Sequence, residues 1–397
     1  SGTQALYSNT TASYNTATGN RALTSNTTGN NNTATGYLAL FTNTTGNYNT
    51  ATGYYALYSN TTGVNNTATG NYALQNNTIG NHNNATGYEA LKSNTTGSNN
   101  AAAGYQALYT NTTGSSNIAT GYEALTSNTT GSSNIAAGWQ ALYSNTTSVG
   151  NVATGYRALY LNTTGGYNTA IGYQAGYNLS SGSYNVFHGH FAGQNATIAS
   201  NTIAIGNGAI GLGVLTGADN TAIGYQAGYD LTSGYNNVFA GYQAGYNATT
   251  AHNSVAIGTN ALGLGVLTGS SNLAIGQSAG NDLTSGSYNV FHGYYAGQNA
   301  TTAGNTVAIG QYAFGYGILT GTDNIAIGSQ AGYDLTSGTY NFFAGQMAGY
   351  NATTANRTIA IGKSAIGLGV LTGDDNIAIG HTALFSSTIG SNNIAIG

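Results

Sequence analysis

Hydrophobic and polar positions along this chain alternate in short runs that never lengthen into a helical stripe. The stretch Asn49-Thr-Ala-Thr-Gly53-Tyr-Tyr-Ala-Leu-Tyr-Ser-Asn-Thr-Thr-Gly63-Val-Asn65 shows the pattern. Two alternating runs, Asn-Thr-Ala-Thr-Gly and Tyr-Xaa-Ala-Leu-Tyr, are joined by an Asn-Thr-Thr-Gly turn. Runs of this length, rich in Thr, Ile and Tyr and bounded by turn residues, predict short strands. Glycine is too frequent for helices, and apolar residues never hold a helical spacing over a helix length.

The runs are also periodic. Motif glycines recur every 17 residues from Gly2, Gly19, Gly36 and Gly53 as far as Gly206, and then in steps of 18, 17 and 17 through Gly224, Gly241 and Gly258 to Gly397. A repeat this short and regular is the signature of a solenoid. The expected fold is therefore all-β, a parallel β-solenoid (β-roll) of about 23 coils with 17–18 residues per coil. At about 3.3 Å per residue a coil has a contour of roughly 56 Å, room for two or three short strands, and stacking at about 4.8 Å gives a rod on the order of 110 Å. Residues 1–167 read as simple 17-residue coils, 168–375 as four 52-residue super-repeats of 17, 17 and 18 residues, and 376–397 as terminal coils of one continuous body.

Counted from the motif glycine, a few positions carry the fold. Position −4 is predicted to build an axial ladder of stacked side-chain amides: Asn15, Asn32, Asn49, Asn66, Asn83, Asn100, Asn117, Asn134, Asn151, Asn168, Asn185, Asn220, Asn237, Asn272, Asn289, Asn324, Asn341, Asn376 and Asn393. Alanine at −2 and +3 lets two thin sheets lie close, and the glycine suits a corner. Positions −1 and +4 read as sharing interior space: Thr52 goes with Leu57, whereas Ile171 goes with Gly176 and Ile223 with Gly228. Tyrosines at +1 and +5 are expected to point outward in rows open to association with other chains.

Composition narrows the function classes. Only 4% of the 397 residues are charged and the net charge is −4, which offers no basic surface to nucleic acid. With no cysteine there is neither a disulfide framework nor thiol chemistry. No apolar run is long enough for a membrane span. The chain opens at Ser1 without Met, as expected of a processed protein or a segment of a longer one. Both ends fall within the motif without a polar capping coil, so either missing flanking sequence or head-to-tail stacking into a filament is expected.

Candidate chemistry is sparse. Asn-Xaa-Thr/Ser sequons fall at Asn9, Asn26, Asn43, Asn60, Asn76, Asn94, Asn111, Asn128, Asn145 and Asn162, then at Asn178, Asn195, Asn247, Asn299 and Asn351. They read either as turn chemistry or as a row of glycan acceptors. Thr-Xaa-Thr triplets at Thr16–Thr18, Thr33–Thr35, Thr50–Thr52 and Thr67–Thr69 suggest an ice-binding array. Drift of the same positions to Ile118 and Ile135 instead suggests an inward face. Gly206, Gly208 and Gly211 spell a dinucleotide fingerprint but open no helix, and no acidic residue follows at the required distance. Asp230, Asp282 and Asp334 recur every three coils, roughly 14 Å apart, too far for paired-carboxylate hydrolysis. His188, His190 and His292 suggest no metal site. No catalytic residue, metal or cofactor is expected.

The string Asn-Xaa-Ala-Ile-Gly, as in Asn324-Ile-Ala-Ile-Gly328, with its longer form in Asn201-Thr-Ile-Ala-Ile-Gly206 and Asn253-Ser-Val-Ala-Ile-Gly258, resembles the head repeats of trimeric autotransporter adhesins of the YadA type. It is also similar to tail-fibre-like tandem-repeat proteins of bacteria and phages. The resemblance implies a left-handed β-roll, trimers, and an extracellular or cell-surface setting. The expected function is a non-enzymatic structural or adhesive fibre that self-associates, as a head-to-tail filament or a trimer, and contacts glycans or cell surfaces. An ice-binding solenoid is the alternative, and a tailspike-like protein that binds or cleaves polysaccharide is a third.

Overall fold

The computed structural model describes residues 2–397. It is an all-β parallel solenoid without helix, and each coil contributes one three-residue strand. The chain forms two compact units, Ser1–Ala199 and Ser200–Gly397. The change of repeat at residue 168 falls inside the first.

In the first unit the strands run from β1 (Thr16–Thr18) to β11 (Val186–His188), and in the second from β12 (Ile203–Ile205) to β23 (Ile394–Ile396). Within each unit neighbouring coils pair in parallel with unbroken register. Thr33, Ala34 and Thr35 face Thr50, Ala51 and Thr52, and Val255, Ala256 and Ile257 face Leu273, Ala274 and Ile275. The strand is positions −3 to −1, and only its middle residue points inward.

The second alternating run is not a strand. At +2 and +4 the backbone enters the left-handed region, with φ of 56° at Tyr55 and 53° at Leu57. Ala56 N–H turns back to Gly53 O at 3.4 Å, Leu57 N–H reaches Ala73 O at 2.9 Å in the following coil, and Tyr55 N–H reaches Tyr37 O at 3.0 Å in the preceding one. The segment is a turn whose amides alternate between the coils on either side. Tyrosine, glutamine and leucine accept positive φ at a modest cost here because two neighbours hold them in place. Each unit accordingly has one sheet, not the two expected.

The core is thin and ordered by position. Ala at −2 and +3 and Leu at +4 are fully buried in coil after coil, as with Ala51, Ala56 and Leu57. The motif glycines stack on one another: a Cβ on Gly53, whose φ is 139°, would strike the Gly70 carbonyl.

The expected exchange between −1 and +4 is overturned. Ile171, Ile223 and Ile327 at −1 are 38%, 44% and 42% exposed. The residue that answers Gly at +4 is Phe at −2. Phe187, Phe239, Phe291 and Phe343 replace the small Ala once per super-repeat and are buried. A Cβ on Gly176 would lie 2.6 Å from Phe187 Cδ2, and one on Gly193 would strike the other edge of the same ring. One phenyl thus occupies the space that two leucines fill elsewhere. The 18-residue coil keeps Ile210, Leu262, Phe314 or Ile366 at +4, all buried.

Candidate functional site

Two internal columns of asparagine brace the coils. At −4, Asn32 through Asn376 are buried, and the two end members, Asn15 and Asn393, are half-buried. The expected amide-to-amide ladder takes a different form here. Asn49 N–H donates to Asn32 Oδ1 at 2.9 Å, while Asn49 Nδ2 reaches across its own coil to Gly63 O at 2.8 Å. Direct amide contacts join these in some coils, from 3.2 Å for Asn117 Nδ2 to Asn100 Oδ1 down to 2.9 Å for Asn393 Nδ2 to Asn376 Oδ1. The 18-residue coils place a buried Thr202, Ser254, Thr306 or Thr358 at this position. Ser254 N–H still donates to Asn237 Oδ1 at 3.0 Å, and Ser254 Oγ then accepts from Asn272 N–H at 3.3 Å.

The true amide ladder is at +7, among the sequons. Asn43 donates to Asn26 Oδ1 at 2.8 Å, Asn60 to Asn43 at 2.7 Å, Asn77 to Asn60 at 2.9 Å and Asn94 to Asn77 at 2.8 Å. Asn111, Asn128 and Asn145 continue it at 2.8, 2.7 and 2.7 Å. Each Nδ2 from Asn26 to Asn128 also holds the carbonyl three residues on, as Asn60 holds Gly63 O at 3.0 Å. Asn26, Asn43, Asn60, Asn94, Asn111, Asn128, Asn145 and Asn162 have no exposed surface. In this fold a sugar on Nδ2 has no room there, which corrects the glycan-acceptor reading at these eight positions. The sequon at Asn76 differs: Asn76 is exposed, and its neighbour Asn77, not itself a sequon, is the ladder member. Asn9, Asn178, Asn195, Asn247, Asn299 and Asn351 are half-buried.

The +7 ladder ends for a visible reason. Ser148 stands where other coils have a corner glycine, and its hydroxyl bridges Asn145 Oδ1 and Asn162 Nδ2. One coil further on, +7 is Leu179 rather than Asn, and Asn162 Oδ1 is left buried without a partner. From there as far as Ala352, +7 in the 17-residue coils is Leu or Ala, including Leu231, Ala248, Leu283 and Ala300, all buried.

The outer surfaces are where function can reside. Aromatic columns at +1 and +5 run outward, as expected. Rings stack at 5.4 Å for Tyr88–Tyr105, 5.1 Å for Tyr105–Tyr122 and 4.2 Å for Tyr122–Trp139. At +5, Tyr143–Tyr160 and Tyr160–Tyr177 are both 5.1 Å apart. Their faces cover one another, so the columns present ring edges and hydroxyls.

The outward strand positions, −3 and −1, differ between the units. In the first they begin as Thr pairs: Thr16/Thr18, Thr33/Thr35, Thr50/Thr52 and Thr67/Thr69. The triplets therefore face outward, contrary to the inward reading drawn from Ile118 and Ile135, which are themselves 44% and 39% exposed. In the second unit, of the two outward positions on each of twelve strands, only Thr221 and His292 are polar. The rest are Ile, Val, Leu, Phe or Ala.

Charged groups are few and scattered. Burial pulls the Glu89 carboxyl upward, but hydrogen bonds from Lys92 and Gln106 outweigh it and hold the group below its ordinary value; Lys92 Nζ lies at 2.6 Å. Arg357 contacts Asp375 at 2.7 Å and holds its carboxyl down. Asp230, Asp282 and Asp334 are pushed upward by burial. Among the described residues no group of three His, Asp or Glu side chains could hold a metal, and no helix is long and apolar enough to cross a membrane.

Fold and surfaces together define a parallel β-solenoid with polar internal columns and, in its second unit, an apolar outer sheet. No protein-family model matches the chain, and a search of curated proteins finds no match.

Proposed function

We propose that this chain is a structural, adhesive solenoid of the cell exterior that assembles with copies of itself into a fibre. The observation that carries the reading is the bare outer sheet of β12–β23. Parallel sheets are normally covered on both faces. Here the inner face packs on Ala, Phe and Leu, and the outer face exposes Ile257, Ile309, Ile327, Ile361 and Ile379 at 37–42% in register. These aliphatic side chains follow one another down the sheet as a contiguous apolar patch, the kind of surface that marks an interaction site. A surface repeating one residue pair per coil is best matched by another surface of the same repeat. A second copy is therefore the natural occupant, and aromatic columns left at the rim would meet glycans or cell surfaces. The extracellular setting rests on the likeness of the repeats to adhesin and tail-fibre sequences. Electron microscopy of the purified full chain tests the reading: fibres or bundles support it, and isolated single particles at high protein concentration would sink it.

A second reading has its own observation. The four Thr pairs of the first unit are outward, aligned, and about 4.8 Å apart along the stack, the arrangement an ice-binding face requires. Thermal hysteresis that disappears in Thr35→Tyr/Thr52→Tyr would establish it. Freezing identical to that of buffer would dismiss it.

A further inference from the structure

Three carboxylates of the second unit lack a protein partner. Asp230, Asp282 and Asp334 occupy the same place in successive super-repeats, each half-buried. Desolvation alone shifts them, with no hydrogen bond or positive charge in opposition. The ion pairs of the chain, Glu89–Lys92 and those of Arg357, lie elsewhere. A carboxylate that gives up part of its water without a partner gains from a proton or from a nearby cation.

Asp334 has the most developed surroundings. It lines an open cleft of about 640 Å³ with Asn299, Tyr316, Ile318, Thr336 and Thr353. Beside it runs a column of three rings, Tyr316, Tyr333 and Tyr350, with centroids 5.4 and 4.9 Å apart. Asn299 Nδ2 is engaged by Tyr316 O at 2.8 Å, and the Thr336 hydroxyl donates to Thr353 O at 2.9 Å. Asn299 Oδ1 and the Thr336 hydroxyl oxygen remain as acceptors, beside an exposed aromatic ring and the exposed Ile318.

That combination has one matching ligand chemistry. A carboxylate attracts a cation, Tyr316 ends its column with a ring stacked on one face only and can favour a cation on the other through its quadrupole, neutral acceptors take ammonium hydrogens, and the Tyr316–Ile318 wall takes an apolar body. We propose that the Asp334 cleft binds a small organic cation, an alkylammonium carrying an apolar tail. An anion meets the wrong charge. A hard metal ion wants more oxygen ligands than one carboxylate and two neutral groups supply. The sister positions are graded: Asp230 retains Tyr229 and Tyr246, whereas Asp282 has Asn281 and Gln298 in the corresponding places.

Isothermal titration calorimetry of the full chain with butylammonium chloride tests this, with 1-butanol and sodium chloride as controls. The expected result is saturable millimolar binding of butylammonium, weakened about tenfold by Asp334→Asn and by Tyr316→Ser and unchanged by Asp282→Asn. Circular dichroism melts of each variant separate lost binding from lost folding. No saturable heat, equal binding of butanol, or an isotherm unchanged in Asp334→Asn would each overturn the proposal.

Discussion

Asn60 closes three side-chain hydrogen bonds at once: its Nδ2 serves Asn43 Oδ1 and Gly63 O, and its Oδ1 accepts from Asn77. Removing it strands three buried groups, so Asn60→Ala is expected to cost about 2–4 kcal/mol, read as a lower urea midpoint. At the same position in a later coil, Leu179 needs no such partners. Phe187 and its two glycines make a second residue-scale test. Phe187→Ala should cost about 3–5 kcal/mol by cavity formation, while Gly193→Ala should destabilise wild type and do so less in the Phe187→Ala background. The half-buried aspartates add a pH term. Burial raises the folded-state value of Asp282, so the folded chain binds the extra proton between the unfolded value and the raised one. Stability therefore rises as pH falls through that window, and Asp282→Asn should flatten this rise and stabilise slightly at neutral pH. Much at this scale was hidden in the sequence. The −4 Asn is legible because it recurs in coil after coil of 17 residues. The buried sequons are not, because Asn-Thr-Thr-Gly reads equally well as an exposed turn, and Asn76-Asn77 offers two phases.

A coil is organised by one strand of three residues, too short for alternation to tell which face is inside. Position −1 therefore reads as interior from the sequence, although it lies on the outer face. A better signal was present: Phe at −2 recurs every 52 residues with Gly at +4 in its own coil and the preceding one. The rule can be transplanted into the first unit, where Ala119 stands at −2 between Leu108 and Leu125 at +4. Ala119→Phe alone should overpack the core and cost about 1–3 kcal/mol. Adding Leu108→Gly and Leu125→Gly should recover most of that loss in thermal melts, and no recovery would refute the pairing. The left-handed turns at +2 and +4 had no legible signature, since Leu57 and Tyr55 are not residues that advertise positive φ. Their conformation is imposed by the coils above and below.

At the scale of the whole molecule, the period announced the solenoid before any side chain was considered. What separates the two units is the outward pair on each strand, Thr-led at the start of the first and aliphatic through the second. We propose that copies of the chain assemble through this bare aliphatic sheet, since exposed apolar patches of this kind mark interaction sites. Sedimentation velocity of the full chain over a concentration series tests it most directly, compared with Ile257→Lys/Ile309→Lys/Ile361→Lys. These three side chains are outward, so the variant should fold with an unchanged circular dichroism spectrum. The account predicts concentration-dependent assembly of the wild type and a single monomeric boundary for the variant. A wild type that sediments as a monomer throughout, or a variant that assembles as well as the wild type, would contradict it.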